Sequence, residues 1–191
     1  MALSRDDWTH AAVEAIAAGG TAALAVEPLA ARLGTTKGSF YWHFRNRSEL
    51  VGAALAAWER EATDEIIARL ESVADPVERL RLTLTAAMED EGDEYGAIDA
   101  ALLASAADPS VAPVVERVQD KRLAFLERCF RDMGLPRREA RLRAQIGYSI
   151  YLGWFRQRQA GGAPVPTVRG LRAYQRTAIE LLTAAHPPMV R

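Results

Sequence analysis

Residues 29–50 read LAARLGTTKGSFYWHFRNRSEL, and this stretch decides the fold of the N-terminal part of the chain. Leu29 and Leu33 lie at helical spacing, and Gly34 ends that helix because glycine tolerates the left-handed backbone of a tight helix stop. The two threonines that follow suit the start of another helix, and Thr36 is the better-placed N-cap. The stretch therefore predicts a helix, a turn that contains glycine, and a second helix.

The second helix, predicted over residues 37–44 and called the recognition segment below, is short and rich in aromatic residues. Phe40 and Phe44 are four residues apart, so they share one face and can anchor the helix to the preceding one. The other side carries rings that a stable helix does not expose without a reason: Tyr41, Trp42 and His43. Two helices joined by such a turn form a helix-turn-helix, whose second helix enters the major groove of DNA.

The charge of this region favours the same interpretation. Between Pro28 and Ser48 the charged residues are all basic, and there is no Asp or Glu. These basic residues are Arg32, Lys37, Arg45 and Arg47. A basic strip of this kind can face phosphates, and the N-terminus of a helix offers unpaired N–H groups for the same purpose. The whole 191-residue chain has a net charge of −1, so a nucleic-acid surface must be local. The alternative is an exposed helical hairpin with solvated charges.

The segment GTTKGSFYWHFRNRSEL resembles the helix-turn-helix signature of the tetracycline-repressor (TetR) family of transcriptional regulators. The resemblance is specific over about the first fifty residues of the chain. It implies that operator DNA is contacted by the residues Thr35, Thr36, Lys37, Gly38, Ser39, Tyr41, Trp42, His43 and Arg47. Residues 25–27 depart from the family pattern, because Ala-Val-Glu stands where a hydroxyl cap and a basic residue are common. A phosphate contact on that side is therefore not carried over.

The remaining pattern predicts an all-α protein. A first helix begins near Ser4, and Gly19-Gly20 ends it. Asn46 or Ser48 caps a helix that follows the recognition segment without a Gly, Pro or polar linker, so this helix is a stiff connection. We predict a helix-turn-helix DNA-binding domain over residues 1–46. A helical domain for effector binding and dimerisation then covers residues 47–191.

The last two helices are predicted to form a homodimer interface. The helix that ends near Gln159 is apolar on two sides, so it needs a second partner besides its own subunit. The final helix has an apolar stripe at regular spacing: Leu171, Tyr174, Ala178, Leu181 and Ala185, widened by Ile179 and Leu182. Paired with their symmetry mates, the two helices would form a four-helix bundle. The alternative is that both are buried within the monomer.

A set of large side chains from different helices could line an apolar pocket. They are Trp58, Leu84, Met88, Tyr95, Ile98, Leu102, Phe125, Tyr148 and Tyr151. Apolar residues at helical spacing are core by default, so for any single one of these side chains a core position is favoured over a pocket-lining one. That a pocket for a small effector exists is implied by the family resemblance.

No catalytic, metal or cofactor site is predicted. The three histidines, His10, His43 and His186, are dispersed along the sequence, and Cys129 lies among apolar residues as a core thiol. Neither GxxxxGK[ST] nor GxGxxG is present. A single cysteine, no signal-peptide core and no long apolar run predict a cytoplasmic location without a membrane span.

The sequence therefore predicts a homodimeric repressor that binds a near-palindromic operator in double-stranded DNA and responds to an apolar or amphipathic small molecule. Two alternatives stay open. One is a helix-turn-helix protein controlled by a protein partner. The other is a helical enzyme or carrier whose N-terminal region only resembles a DNA-binding domain.

Overall fold

The computed structural model describes residues 3–88, 98–99, 101–102, 105, 108–159 and 168–184, and the regular structure within these residues is helical. The α-helices follow one another as α1 (Arg5–Gly19), α2 (Val26–Arg32), α3 (Lys37–Phe40), α4 (Arg47–Glu59), α5 (Glu65–Glu71), α6 (Pro76–Met88), α7 (Ala112–Asp132), α8 (Arg137–Gln159) and α9 (Val168–Thr183). A 3-10 turn, Thr21–Ala23, precedes α2, and a π-helical segment, Arg60–Asp64, joins α4 to α5. The predicted all-α fold class is confirmed.

Side-chain caps start two of the three helices for which the sequence predicted them. Ser4 Oγ accepts a hydrogen bond from the backbone N–H of Asp7 at 3.1 Å, and the Asp7 carboxylate accepts one from the backbone N–H of Ser4 at 2.6 Å. This reciprocal pair satisfies two N–H groups that the helix cannot pair itself. Asn46 Oδ1 accepts from the backbone N–H of Glu49 at 2.9 Å, so Asn46 is the cap of α4.

The chain divides into two compact units. The first comprises residues 1–66 and 90–120, and the second comprises residues 67–89 and 121–191. The predicted boundary after residue 46, between the helix-turn-helix domain and the helical effector-binding and dimerisation domain, stays a prediction. By compactness alone, α4 belongs with the first unit, because Leu50, Leu55 and Trp58 are buried in the same core as α1.

The core of the first unit holds the N-terminal helices together. Trp8, Ile16, Leu29, Phe40 and Phe44 are all buried in it, and the spacing of Phe40 and Phe44 predicted this for those two. Leu33 is only partly buried. Along the described part of this unit the core continues through residues 98 and 102 into the first half of α7. The short helices are therefore stabilised by a shared apolar core, which short helices in isolation lack.

The second unit has a core of its own, built from α6, α7, α8 and α9. Leu80, Phe130, Trp154 and Leu182 are buried there. Arg143 is also buried, and its guanidinium donates to the backbone carbonyls of Leu182 at 2.6 Å and Ala184 at 2.9 Å. These carbonyls belong to the end of α9, which has no intrahelical donors for them. In the described ranges of the chain, no helix is long and apolar enough to cross a membrane.

Candidate DNA-binding surface

The turn before the recognition segment is set by one glycine. Gly34 has φ 64°, the left-handed conformation predicted for it. The backbone N–H of Thr35 donates to the carbonyl of Ala30 at 2.9 Å, and the N–H of Gly34 donates to that of Ala31 at 3.1 Å. These bonds satisfy carbonyls at the end of α2, and the positive φ turns the chain sharply into α3. A residue with a Cβ would be strained at this position.

The recognition segment is a shorter helix than the sequence predicted. Regular α-helix covers Lys37–Phe40, and a turn follows, in which the N–H groups of His43 and Phe44 both donate to the carbonyl of Phe40 at 2.9 Å. Thr36 is the N-cap residue by position, but its side chain makes no cap hydrogen bond. The expectation that its hydroxyl caps this helix is therefore wrong. Backbone hydrogen bonds and aromatic packing define the segment instead.

Aromatic rings anchor this segment to α1. The Phe40 ring lies 5.4 Å from that of Trp8 in an edge-to-face arrangement and 5.6 Å from that of Phe44, between ring centroids. The guanidinium of Arg5 lies 4.2 Å above the Phe44 ring, close enough for a cation–π interaction. Because both phenylalanines are buried, the rings of Tyr41 and Trp42 between them point outwards. The exposed fractions are 57% for Tyr41 and 88% for Trp42.

The residues predicted to contact DNA are all described and all accessible. Thr36, Lys37, Gly38, Tyr41, Trp42 and Arg47 are exposed, while Thr35, Ser39 and His43 are half-buried. Three of them line one open groove of about 410 Å³ beside the start of α2, namely Lys37, Tyr41 and Arg47. Accessibility is required for DNA contact but does not establish it, so these assignments stay predictions.

Acidic residues from outside the basic strip pair with two of its cations. Lys37 Nζ donates to Glu27 Oε1 at 2.5 Å, and Arg32 pairs with Glu14. The hydrogen bond from Lys37 holds the pKa of the Glu27 carboxyl below its ordinary value, and the same bond raises the pKa of Lys37. Glu14 and Glu27 precede residue 28, so the charges counted between residues 28 and 48 did not include these two carboxylates. A phosphate that bound Lys37 would have to compete with Glu27.

Arg47 has a structural role that its sequence position did not indicate. Its Nε donates to the backbone carbonyl of Leu24 at 2.6 Å, and a terminal nitrogen donates to that of Thr21. These carbonyls lie in the turn that leads into α2, so Arg47 ties this turn to the start of α4. Phosphate contact through the same guanidinium would have to use the N–H groups that remain.

Glu49 is a further residue that the sequence argument missed. Its carboxylate accepts from the backbone N–H of Arg45 at 2.9 Å and from the Arg5 guanidinium at 3.1 Å. The bond from the Arg45 backbone, followed by that from Arg5, lowers the pKa of Glu49. Arg5 also donates to the carbonyl of His43 at 2.7 Å. The two residues thus join α1, the end of the recognition segment and α4, which fixes where the exposed rings lie.

The residues predicted to line an effector pocket are divided between the two units. Trp58, Ile98 and Leu102 are buried in the core of the first unit. The core of the second holds the buried side chains of Leu84, Met88 and Tyr148, with Tyr151 packed against it. Phe125 is buried in α7, and Tyr95 lies outside the described residues. Their role in ligand binding stays a prediction.

One buried polar contact accompanies Trp58. Its indole Nε1 donates to the carboxylate of Asp99 at 2.9 Å, and both residues are buried. The next residue, Glu59, is also buried and accepts two hydrogen bonds from the Arg117 guanidinium, at 2.8 and 2.6 Å. The C-terminal end of α4 is therefore held by specific polar contacts as well as by apolar packing.

Exposed apolar side chains mark the predicted dimer helices. Leu142 and Ile146 on α8 and Tyr174 on α9 are exposed, and Leu181 has an exposed fraction of 71%. Ala178, which the sequence placed in the same stripe, is instead buried within the second unit. Ala185 lies outside the described residues. The exposed stripe is available for a partner, and self-association through it stays a prediction.

Comparison with known proteins agrees with the geometry. Residues 9–54 match the family described as bacterial regulatory proteins, tetR family. This match covers the helix-turn-helix and the start of α4, and it confirms the resemblance seen in the sequence. No curated protein matches the chain significantly.

Solved structures share the fold along nearly the whole chain. A TetR-family regulator from Agrobacterium tumefaciens has 20% sequence identity and a TM-score of 0.76, with 94% of this chain and 97% of that one covered. A putative regulator from Saccharomonospora viridis in complex with choline has 20% identity and a TM-score of 0.79, with 92% and 95% covered. FadR from Bacillus subtilis in complex with stearoyl-CoA has 16% identity and a TM-score of 0.68, with 96% and 100% covered.

Proposed function

We propose that this chain is a homodimeric repressor of transcription, because it combines a tetR-type helix-turn-helix with the fold of such regulators. The observation that carries the proposal is the recognition segment. Its buried phenylalanines anchor it, while Tyr41 and Trp42 are 57% and 88% exposed. A protein gains nothing in stability from exposing two aromatic rings side by side, whereas stacking and groove contacts with DNA use them.

The operator is a near-palindromic site in double-stranded DNA. A two-fold symmetric dimer presents two recognition segments, and these reach successive major grooves about 34–36 Å apart. The exposed apolar residues of α8 and α9, Leu142, Ile146, Tyr174 and Leu181, support dimerisation through the last two helices. Lys37 contacts a phosphate on each half-site after leaving Glu27.

The effector is an apolar or amphipathic small molecule that releases the repressor from DNA. The ligands of two similar structures, choline and stearoyl-CoA, support a small-molecule effector without identifying it. The signal passes through α4, because this helix starts directly after the recognition segment and carries Trp58 into the core. An effector could bind more tightly to a dimer whose two recognition segments are too far apart for successive major grooves. If that preference is about 3 kcal/mol, the effector would weaken operator binding roughly a hundredfold, and DNA would weaken effector binding by the same factor.

A mobility-shift assay with DNA from upstream of the gene tests the proposal. We expect a shifted complex at nanomolar protein that is lost with Trp42→Ala, while the melting temperature of the variant is unchanged because Trp42 is exposed. A variant that still binds the operator as tightly as the parent would refute the assignment of the recognition segment. No shift with any upstream fragment would favour the helical enzyme or carrier.

Addition of small molecules to the preformed complex separates the two regulator hypotheses. Apolar and amphipathic compounds should release the DNA and quench or shift the fluorescence of Trp58, and Trp58→Phe should remove that optical change. Release only by a protein fraction would favour control by a protein partner.

A further inference from the structure

A second groove with a distinct chemistry lies between α6 and α9, within the second unit. It has a volume of about 470 Å³, and its walls include Arg81 and Thr85 from α6 and Arg172, Gln175, Arg176 and Glu180 from α9. Three guanidinium groups thus face one carboxylate. Its volume falls in the range of small-molecule sites, about 300–1,000 Å³.

Two of the three arginines of α9 repel one another. Arg172 and Arg176 are four residues apart on one face of the helix, where like charges destabilise the helix. Both are exposed, and neither makes an ion pair or hydrogen bond with any residue in the described ranges. From α6, Arg81 adds a third guanidinium, which is held in place by Glu78 through hydrogen bonds of 2.6 and 2.5 Å. The groove therefore holds two exposed guanidinium groups on α9 beside a third, on α6, that Glu78 already orients.

The wall of the groove also holds a buried donor without an acceptor. Gln175 has an exposed fraction of 5%, and its Nε2 finds no hydrogen-bond partner among the residues that the structure describes. A buried amide donor is unfavourable unless something accepts its hydrogen bond. It lies on α9 between Arg172 and Arg176, so one acceptor could serve all three side chains.

We propose that this groove binds the phosphate group of a small organic phosphate. Phosphate offers several acceptor oxygens and a double charge, which suit guanidinium forks and one amide N–H better than a single carboxylate does. The volume exceeds that of a bare ion, so the groove also holds part of the molecule that carries the phosphate. The proposal depends on α6 and α9 alone and does not require that the chain represses transcription.

The proposed dimer would leave this groove open. Tyr174 lies two residues from each of Arg172 and Arg176, and residues two apart on an α-helix point about 160–200° away from each other. The exposed apolar stripe with Tyr174 and Leu181 is thus on the opposite side of α9 from the arginines. One helix can therefore serve the dimer interface and the phosphate site together.

Isothermal titration of the full-length protein with ribose 5-phosphate, pyrophosphate and unphosphorylated ribose tests the proposal at low salt. We expect both phosphates to bind and ribose not to bind. The double variant Arg172→Gln/Arg176→Gln should weaken phosphate binding at least tenfold, and Gln175→Leu should weaken it severalfold. The matched control is Arg141→Gln on α8, since Arg141 is exposed and outside the groove. This control should bind like the parent.

Thermal unfolding with and without ribose 5-phosphate provides a second measurement. Because the double variant removes a repulsion, its melting temperature without ligand should equal or exceed that of the parent. Ribose 5-phosphate should raise the melting temperature of the parent and of the Arg141→Gln control but not that of the double variant. Equal binding of phosphate by the parent and the double variant would overturn the proposal. So would an equal loss in the Arg141→Gln control, which would indicate non-specific attraction. A double variant that loses operator binding but keeps phosphate binding would place these arginines at the DNA instead.

Discussion

Glu27→Gln should make operator binding tighter and more dependent on salt. In the free protein Lys37 Nζ lies 2.5 Å from Glu27 Oε1, so the pair presents no net charge to a phosphate. In the proposed complex the substitution leaves Lys37 as a cation without its carboxylate partner beside the DNA. The hydrogen bond from Lys37 holds the pKa of Glu27 below its ordinary value, so the carboxyl stays ionised at neutral pH. A change of pH near neutrality therefore does not neutralise Glu27 as the substitution does.

The magnitude follows from the charge beside each phosphate. The proposed dimer carries Glu27 once per half-site, so two additional neutralised phosphates steepen the plot of log affinity against log salt by about 1.8. Between 50 and 200 mM salt, the advantage of Glu27→Gln over the parent should therefore shrink about 12-fold. Lys37→Ala leaves Glu27 uncompensated, so its slope should be flatter than that of the parent by a similar amount. The double variant has no charge on either residue and should return to the slope of the parent.

The measurement is a fluorescence-anisotropy titration of a labelled operator at four salt concentrations. Glu71→Gln is the matched control, because it breaks an exposed ion pair of the same kind, 2.6 Å between Glu71 and Arg128, in the second unit. Its slope should equal that of the parent. The reasoning is refuted if Glu27→Gln has the slope of the parent while Lys37→Ala is flatter, since Glu27 would then lie away from the DNA.

Three further predictions concern stability and assembly. Arg47→Ala should lower the free energy of unfolding by about 1–2 kcal/mol, because two charge-assisted hydrogen bonds to the turn before α2 are lost. An unchanged melting temperature in calorimetry would show that these hydrogen bonds do not stabilise the fold. Leu181→Arg should give monomers in sedimentation velocity with unchanged circular dichroism, because the side chain is exposed in the monomer; intact dimers would place the interface elsewhere. Arg143→Met should cost about 2–4 kcal/mol in chemical denaturation, because it removes the donors to the end of α9, and a loss below about 0.5 kcal/mol would contradict the importance of this cap.

Local sequence patterns were sufficient for the elements of the N-terminal region. Gly34 predicted a left-handed turn, and its φ is 64°. The spacing of Phe40 and Phe44 predicted a buried anchor, and both are buried. These features depend on residues within one or two helical turns of each other, so the sequence shows them directly. The length of α3 was overestimated, because the chain turns tightly after Phe40 with a hydrogen-bond pattern that residue types alone do not specify.

The sequence by itself thus determined the all-α fold, the position of the turn and the exposure of Tyr41 and Trp42, whereas His43 is half-buried. Only the tertiary structure decided which charges are paired, because Glu27 meets Lys37 and Glu14 meets Arg32 across helix boundaries. It also decided that Arg47 binds backbone carbonyls, and that Ala178 is buried while Leu181 is exposed. The physical reason is range: helical periodicity repeats every 3.6 residues and is visible along the chain, whereas a charge pairs with whatever the fold brings within about 4 Å.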